Sequence, residues 1–128
     1  MKLILFVGLG GFLGAISRYE ITLICNKYIN TIIPIGTLLV NILGGLLIGF
    51  IMELSTNTNY ISPNLKVFLT TGFMGGLTTF STFSYESVVL FNQEKYSSAI
   101  INILSNGTLS ILAVFIGMYL CKFIFSKI

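Results

Sequence analysis

The chain has 128 residues, of which 55% are hydrophobic and 9% are charged, and its mean hydropathy is +0.95. Soluble domains carry about 25% charged residues, so seven basic and four acidic side chains cannot cover a water-facing surface of this size. The composition excludes a soluble globular protein and indicates an integral membrane protein. Four helices of about 20 apolar residues each would use most of the chain and leave short connections. We therefore predict one all-α transmembrane domain covering residues 1–128.

The residue types that are missing also limit the chemistry. The chain has no His, and its two cysteines, Cys25 and Cys121, are far apart in the sequence. A His/Cys zinc or haem site and a Ser/His/Asp triad are therefore excluded, and a disulfide framework is not expected. No set of base, nucleophile and metal ligands is visible, so we expect no enzymatic activity. The net charge of +3 comes from basic residues scattered singly, which is typical of membrane-flanking anchors and not of nucleic-acid binding.

Hydropathy and turn residues divide the chain into four predicted membrane-spanning helices. The polar stretch 26–30 ends the first helix, Pro34 precedes the second, and a loop rich in Asn, Ser and Thr up to Pro63 separates the second from the third. The first helix is not a signal peptide, because no small-residue cleavage site follows it and three more apolar segments do. The four predicted helices cover residues of about 3–24, 35–52, 66–91 and 98–125.

Three pairs of glycines are spaced four residues apart within the predicted helices. On a helix this spacing places both glycines on one stripe and lets a second backbone approach closely. Close packing alone accounts for the pairs in the first and second helices, whereas the pair in the third helix adjoins a run of hydroxyl side chains. The pairs are Gly10 and Gly14, Gly45 and Gly49, and Gly72 and Gly76.

The distribution of basic residues predicts little preference for one orientation in the membrane. An even number of spans places both termini and the second loop on one side, which then holds Lys2, Lys66, Lys122 and Lys127. The other side holds Lys27 and Lys95, and also Arg18 if it lies near the end of the first helix. So small a bias does not fix the orientation, and we expect an antiparallel, dual-topology dimer with a hydrophilic path between subunits. The partner is an identical chain or a related one, and the near balance favours an identical chain.

The middle of the third predicted helix, residues 72–84, is dense in Gly, Thr and Ser. Gly75-Gly76 followed by Thr78-Thr79 is where we expect this helix to break, since Gly and Thr are weak helix formers. A break frees backbone carbonyls, which coordinate small ions in discontinuous membrane helices. The alternative is a continuous helix whose Thr hydroxyls bond back to their own turn. The residue pattern alone leaves both structures open.

Phe80 and Phe83 are three residues apart and therefore share a helix face. A Phe pair facing lipid is ordinary, but these two are surrounded by the hydroxyls of residues 79, 81, 82 and 84. Rings among hydroxyls suit a protein-lined passage better than lipid. Because ring edges are electropositive, an anion could lie against them while hydroxyls and amides donate hydrogen bonds.

Asn41 lies alone in an apolar run of the second helix, and Thr37, four residues earlier, shares its face. An amide in lipid needs polar partners, so Asn41 is either an interhelical contact or part of a polar pathway. On the fourth helix, Asn106, Thr108 and Ser110 offer further donors without a distinctive motif.

Intramembrane ionisable residues are functional candidates by default. Glu86 ends the polar face of the third helix and is the strongest of them. Glu20 lies two positions from Arg18. We expect Glu20 at the interface, and Arg18 as an anchor or vestibule charge.

Three motifs together resemble the CrcB/Fluc fluoride channels over the whole chain. They are GGFLGA at residues 10–15 leading to Arg18-Tyr19, GTLLVN at residues 36–41 followed by Gly44, and GGLTTFSTFS at residues 75–84 with Glu86. The glycine motifs are individually weak, whereas the string in the third helix is highly specific.

The resemblance implies a fluoride-selective channel of the cell membrane that passively exports fluoride and so lowers its cytoplasmic concentration. It implies an antiparallel dimer with two pores. By the family pattern, Phe80 and Phe83 would present ring edges to fluoride, and Asn41 would present an amide donor. The further polar contacts of the fluoride pathway would be Thr37, Ser81, Thr82 and Ser110.

The resemblance also implies a structural sodium ion (Na+) at the dimer interface. Backbone carbonyls of Gly75 and Thr78 from each subunit would supply four oxygen ligands, which suit a hard cation. Glu86 and Arg18 would lie at a pore mouth.

Two other functions compete with a channel. A small dual-topology, proton-coupled transporter of organic cations would use Glu86 or Glu20 as its binding carboxylate. It needs a roomy chamber with aromatic walls, but this chain has no Trp and its hydroxyls cluster at one point. A purely structural membrane subunit would leave the polar third helix unexplained.

Overall fold

The computed structural model describes residues 2–125, which are helical with short connections and contain no strand. The side chain of Lys2 and the whole of Lys127, both used in the charge comparison above, lie outside the described part. The fold is therefore all-α over residues 2–125, as the composition predicts.

The first two apolar segments form α1 (Lys2–Tyr28) and α2 (Ile35–Asn57). Pro34 directly precedes α2, where its missing N–H costs nothing because the first helical turn leaves such groups unpaired. Both helices run past their predicted ends at about residues 24 and 52. In α2 the reason is local: the side chains of Thr56 and Asn57 donate hydrogen bonds to carbonyls four residues earlier, which keeps these turn-forming residues helical.

The chain from residue 63 to residue 92 is divided into short helical pieces. The Ser62 hydroxyl accepts the Leu65 N–H at 3.3 Å and caps the first piece, which therefore begins before the predicted start at about residue 66. A π-helical turn follows, which hydropathy could not distinguish from an α-helix. The pieces are α3 (Pro63–Val67), the π-helical turn (Phe68–Met74), α4 (Gly75–Leu77) and α5 (Phe80–Asn92).

The last apolar segment forms α6 (Tyr96–Ile124), which begins two residues before its predicted start. Three helices of residues 2–125 are long and apolar enough to cross a membrane: α2, α6, and α1 from Leu3. They contain 27, 23 and 29 residues in the order α1, α2 and α6, against the roughly 20 that a hydrocarbon core requires. The chain is a multi-pass membrane protein.

α1 packs against the π-helical turn and α4. A Cβ atom at Gly14 would collide with the carbonyl oxygen of Phe73, and one at Gly76 would collide with the carbonyl oxygen of Gly11. Glycine is therefore required on both sides of this contact. The predicted close approach at Gly14 is confirmed. Gly72 and Gly76, which we did not assign to packing alone, lie in the same contact.

α2 packs along α6 through a second glycine contact. A Cβ atom at Gly45 would meet the Ser110 carbonyl oxygen at 2.6 Å, and one at Gly49 would collide with the carbonyl oxygen of Val114. From the other side, a Cβ at Gly117 would collide with the Leu46 carbonyl oxygen. The predicted close packing of this pair is confirmed.

The buried core is small and the apolar outer surface is large. Four side chains from α2, the π-helical turn and α4 form the core: Val40, Ile51, Met74 and Leu77. Large apolar side chains on the outer faces of α1 and α6 are exposed, including Phe12 and Phe115. Such a surface suits lipid, where it needs no burial.

Candidate functional site

A groove of about 470 Å³ lies between α2, α6 and the chain around the start of α5. It is open to the surface, since Phe80 on its wall is 79% exposed. Most of its lining is apolar. The polar or aromatic side chains that line it are Asn41, Thr70, Thr78, Thr79, Phe80, Phe83, Asn106 and Ser110.

Thr78 and Thr79 form a non-helical connection between α4 and α5, which we call the extended link. Their backbone angles are extended, with φ −83° and ψ 157° at Thr78, and φ −152° and ψ 117° at Thr79. The change of conformation therefore falls on the two threonines, while Gly75 and Gly76 stay helical in α4. The Thr79 hydroxyl accepts the Thr82 N–H at 3.2 Å, which caps the start of α5.

Asn41 holds the extended link through both backbone polar groups of Thr79, its N–H and its carbonyl. Its Oδ1 accepts the Thr79 N–H at 2.9 Å, and its Nδ2 donates to the Thr79 carbonyl at 3.2 Å. Because the Thr79 N–H points to Asn41, it does not make the helical bond to the Gly75 carbonyl. The interhelical contact that we considered for Asn41 is therefore present, between α2 and the extended link.

Asn41 is also the first of a series of hydrogen-bonded polar side chains that runs from α2 to α6 and then to α5. Asn41 Nδ2 donates to Asn106 Oδ1 at 2.9 Å, and Asn106 Nδ2 donates to Asn102 Oδ1 at 3.0 Å. Asn102 Nδ2 donates to Ser87 Oγ at 3.0 Å, and Ser87 Oγ donates to the Phe83 carbonyl at 2.8 Å. We did not predict Asn102 or Ser87. Asn102 and Asn106 are four apart in an apolar helix, and that spacing was the available signal.

Phe80 and Phe83 lie next to each other on the first turn of α5. Their ring centroids are 5.5 Å apart and their planes meet at 58°. Both rings line the groove together with Ser110, whose Oγ is buried and has no hydrogen-bond partner within residues 2–125. A buried hydroxyl without a partner is costly, so this unused hydrogen bond calls for an explanation. The structure thus brings together Asn41, both rings and Ser110.

Ser81 and Thr82 lie on the same turn of α5 but do not line the groove. The Thr79 hydroxyl donates to Thr82 Oγ1 at 3.0 Å and lies 3.3 Å from Ser81 Oγ. These hydroxyls therefore form a cluster beside the extended link, in which Thr79 is buried while Ser81 and Thr82 are exposed. Ser81 and Thr82 do not share the groove with Asn41 and Ser110.

Thr37 and Glu86 form a second polar site further along α2 and α5. The Thr37 hydroxyl donates to Glu86 Oε1 at 2.9 Å, while Glu86 Oε2 is buried and has no partner within residues 2–125. Glu86 also lines a separate cavity of about 270 Å³ whose wall includes Lys95. Thr37 thus contacts α5, whereas Asn41 contacts the extended link and α6.

Arg18 lies inside the bundle. Its Nη1 donates to the Thr78 carbonyl at 3.2 Å. It is ten residues before the end of α1, or about 15 Å along the helix axis, so it does not lie near the end of the first helix. Without Arg18, the count of flanking charges is four lysines against two, the larger of the two biases considered above. Glu20 is exposed on α1, and its place at the interface stays a prediction.

The backbone carbonyls of Gly75 and Thr78 have acceptor capacity that the described chain does not use. Residues 2–125 hold no group of three or more His, Cys, Asp or Glu that could bind a metal ion. The Gly75 carbonyl has lost its usual N–H partner, and a Cβ at Gly75 would meet no atom within 4 Å. The Thr78 carbonyl accepts one bond from Arg18, and a carbonyl oxygen has a second lone pair. Each of the two carbonyl oxygens therefore keeps a lone pair that a further donor or a hard cation could use.

Comparison with known proteins identifies the family. A family profile described as "CrcB-like protein, Camphor Resistance (CrcB)" matches residues 5–118. A Clostridium perfringens protein named "Fluoride-specific ion channel FluC" is 53% identical over 125 residues, covering 98% of both chains. Proteins of the same name from Clostridium novyi and Campylobacter fetus subsp. fetus are 50% and 48% identical. They cover 97% and 96% of this chain, and 98% and 96% of their own. The chain belongs to the CrcB family.

Proposed function

We propose that this chain is a fluoride-specific ion channel, the function in the names of its relatives. The structural observation that carries the proposal is the groove, which Ser110 of α6 lines together with Phe80 and Phe83 of α5, and the Ser110 hydroxyl has no hydrogen-bond partner within residues 2–125. The donor is neutral and the rings present electropositive edges, which suits an anion. An ion channel catalyses no reaction, so the chain is not an enzyme.

The mechanism follows from the hydration of the ion. Fluoride is compact and strongly hydrated, so it must exchange its water for closely spaced donors and must still be released. Neutral hydroxyls, an amide and ring edges meet both needs better than a buried cation paired with the ion. Fluoride enters cells as neutral HF and dissociates inside. A passive conduit in the cell membrane would export the trapped anion and lower its cytoplasmic concentration.

The segment from α3 to α5 is proposed as a fourth membrane crossing, broken at the extended link. Its two helical parts, residues 63–77 and Phe80–Asn92, add up to roughly 40 Å at 1.5 Å per residue, enough for a hydrocarbon core of about 30 Å. Irregular backbone within a membrane requires protein partners or a cavity. Asn41, Arg18 and the groove supply both at this point.

An antiparallel homodimer is proposed as the functional assembly. Four crossings leave no wide interior, and the groove is open on the outer surface of one chain. Gly75 and Gly107 line the groove, are exposed, and have no atom within 4 Å of a Cβ position. A second copy covering this face would convert the groove into an enclosed passage, and two-fold symmetry would produce two of them.

A structural Na+ at the interface of that dimer is proposed as the cofactor. Gly75 and Thr78 would hold it through their carbonyls, and the same pair of the second copy would complete a set of four oxygens. A bound cation at this place would favour anions in a low-dielectric passage. Arg18 adds a permanent positive charge beside the extended link, which would also favour anions in the passage.

The remaining pathway residues are proposed as contacts outside the groove. Thr37 and Glu86 would lie at a pore mouth, where the unpartnered Glu86 oxygen influences ion entry. Ser81 and Thr82 would offer hydroxyls beside the extended link, where they contact the Thr79 hydroxyl. Arg18 is proposed as a vestibule charge next to the extended link, since it donates to the Thr78 carbonyl.

Ion efflux from proteoliposomes tests the function. Vesicles loaded with fluoride, with chloride or with a lipophilic organic cation are diluted into medium lacking that ion. We expect rapid fluoride efflux without a proton gradient and little chloride efflux. Proton-driven movement of the organic cation would support the transporter instead, and no movement of any of the three would support a structural subunit.

A further inference from the structure

The orientations of the amides around Asn41 are determined by backbone groups. The Thr79 N–H can only donate, so the Asn41 atom facing it must be Oδ1, and Nδ2 must face Asn106. At the other end, the Asn102 carbonyl can only accept. It receives Asn106 Nδ2 at 3.2 Å, so Asn106 must turn Oδ1 toward Asn41. The backbone contacts at both ends of this series of hydrogen bonds therefore require that Asn41 donates to Asn106 and that Asn106 donates to Asn102.

This direction leaves Asn41 without a free N–H. An asparagine amide has two N–H donors, and those of Asn41 point to the Thr79 carbonyl and to Asn106 Oδ1. Its Oδ1 is also occupied, by the Thr79 N–H. Fluoride can therefore take a hydrogen bond from Asn41 only by replacing one of these acceptors. Both Thr79 and Asn106 line the groove. The Thr79 carbonyl is fixed in the backbone of the extended link, whereas Asn106 Oδ1 belongs to a side chain, which can turn away without moving the backbone.

We propose that Asn106 is a positioning residue. Its Oδ1 accepts the hydrogen bond of the Asn41 N–H when no fluoride is bound, and fluoride replaces this oxygen as the acceptor while it passes. This inference rests on the proposed fluoride function and adds an internal competitor for the anion. Asn106 is itself held, because its Nδ2 bonds to Asn102 Oδ1 and the Asn102 carbonyl. Its Oδ1 therefore stays close to Asn41 and accepts the hydrogen bond from the Asn41 N–H again when the ion leaves.

The competition has a functional consequence. A donor that is always free would bind the anion more tightly and release it more slowly, whereas conduction requires binding weak enough for release. Giving up the hydrogen bond to Asn106 Oδ1 offsets part of the free energy gained from the hydrogen bond to fluoride, so the net gain on binding is smaller. Asn106 thus lowers fluoride affinity in favour of turnover.

The proposal predicts opposite changes in affinity and in maximal rate. In Asn106→Ala, the Asn41 N–H is free, so the half-saturating fluoride concentration for efflux should fall about fivefold, the effect of one net hydrogen bond, and the maximal rate should fall as well. Asn106→Ser, whose side chain is shorter and still polar, should change both quantities in the same directions. Asn92→Ala is the matched control, since Asn92 is exposed at the end of α5.

The measurement is the initial rate of fluoride efflux as a function of internal fluoride, for wild type, the two Asn106 variants and the control. A lower half-saturating concentration in both Asn106 variants supports the proposal. An unchanged or higher one in Asn106→Ser with wild-type dimer yield overturns it, even if Asn106→Ala does not fold. Wild-type vesicles that release no fluoride would overturn the proposed function itself, which separates the two failures.

Discussion

Replacing Asn41 by Ala removes three hydrogen bonds at the point where α5 begins. The Thr79 N–H and carbonyl each lose their partner, and Asn106 Oδ1 loses its donor. Thr79 is only 7% exposed, so water does not readily replace the lost bonds to its backbone. We therefore expect Asn41→Ala to destabilise the protein and to lower fluoride efflux.

The size of the effect comes from the kind of group left unpaired. Each buried backbone group without a partner costs about 1–3 kcal/mol, whereas a side-chain hydrogen bond between membrane helices contributes about 0.6 kcal/mol. The two unpaired backbone groups of Thr79 account for most of the expected loss, and water that enters the open groove reduces their cost. We expect a loss of about 2–4 kcal/mol in the free energy of unfolding.

Denaturant unfolding in detergent micelles at fixed protein concentration measures this loss, with Asn92→Ala as the matched control. Efflux from vesicles is measured in parallel at equal protein density. If Asn41→Ala unfolds within about 0.5 kcal/mol of wild type, as a neutral surface substitution does, Asn41 does not stabilise the extended link. Wild-type efflux would show instead that Asn41 serves only as an interhelical contact.

Two further perturbations test the packing and the proposed cation. Gly14→Ala should destabilise by about 1–3 kcal/mol, because its Cβ would collide with the Phe73 carbonyl oxygen, whereas Gly8→Ala should not, since a Cβ there meets no atom within 4 Å. Equal unfolding free energies for the two variants would contradict the close contact. Replacing sodium by a large organic cation should lower the melting temperature of the protein in detergent, because a bound ion stabilises the folded state. A melting temperature independent of sodium concentration would argue against the ion site.

The sequence predicts those features that depend on local composition. Uninterrupted apolar runs located the three long helices, and the isolation of Asn41 in one such run indicated that it needs a polar partner. The sequence alone left open whether the third predicted helix breaks at Gly75-Gly76 and Thr78-Thr79, and a break within one membrane crossing stays a proposal. The glycines are helical, and the extended backbone lies where Asn41 bonds to the N–H and the carbonyl of Thr79.

The features that the sequence did not predict are pairings between distant residues. Arg18 and Thr78 are 60 residues apart, and Thr37 and Glu86 are 49 apart. Neither hydropathy nor helical spacing relates such positions, because their contact depends on how the helices pack. The same holds for Asn102, which sequence spacing could have marked as buried but not as the partner of Ser87.

The π-helical turn also lies beyond sequence reasoning. Its residues, Phe68–Met74, have an ordinary helical composition with one glycine. The widened turn exists where the glycines of α1 leave room for its backbone: a Cβ at Gly10 would collide with the Phe68 carbonyl oxygen. The residues of the turn do not indicate that α1 packs so closely against it.

Fluoride efflux from vesicles containing Phe80→Ile or Phe83→Ile, compared with Phe115→Ile, tests whether the groove is the ion pathway. Phe115 is a matched control because it is 66% exposed on α6 and does not line the groove. We predict that both α5 variants lose most of their fluoride efflux with little loss of dimer yield, while Phe115→Ile keeps wild-type efflux. Wild-type efflux in both α5 variants would show that fluoride does not pass along these rings.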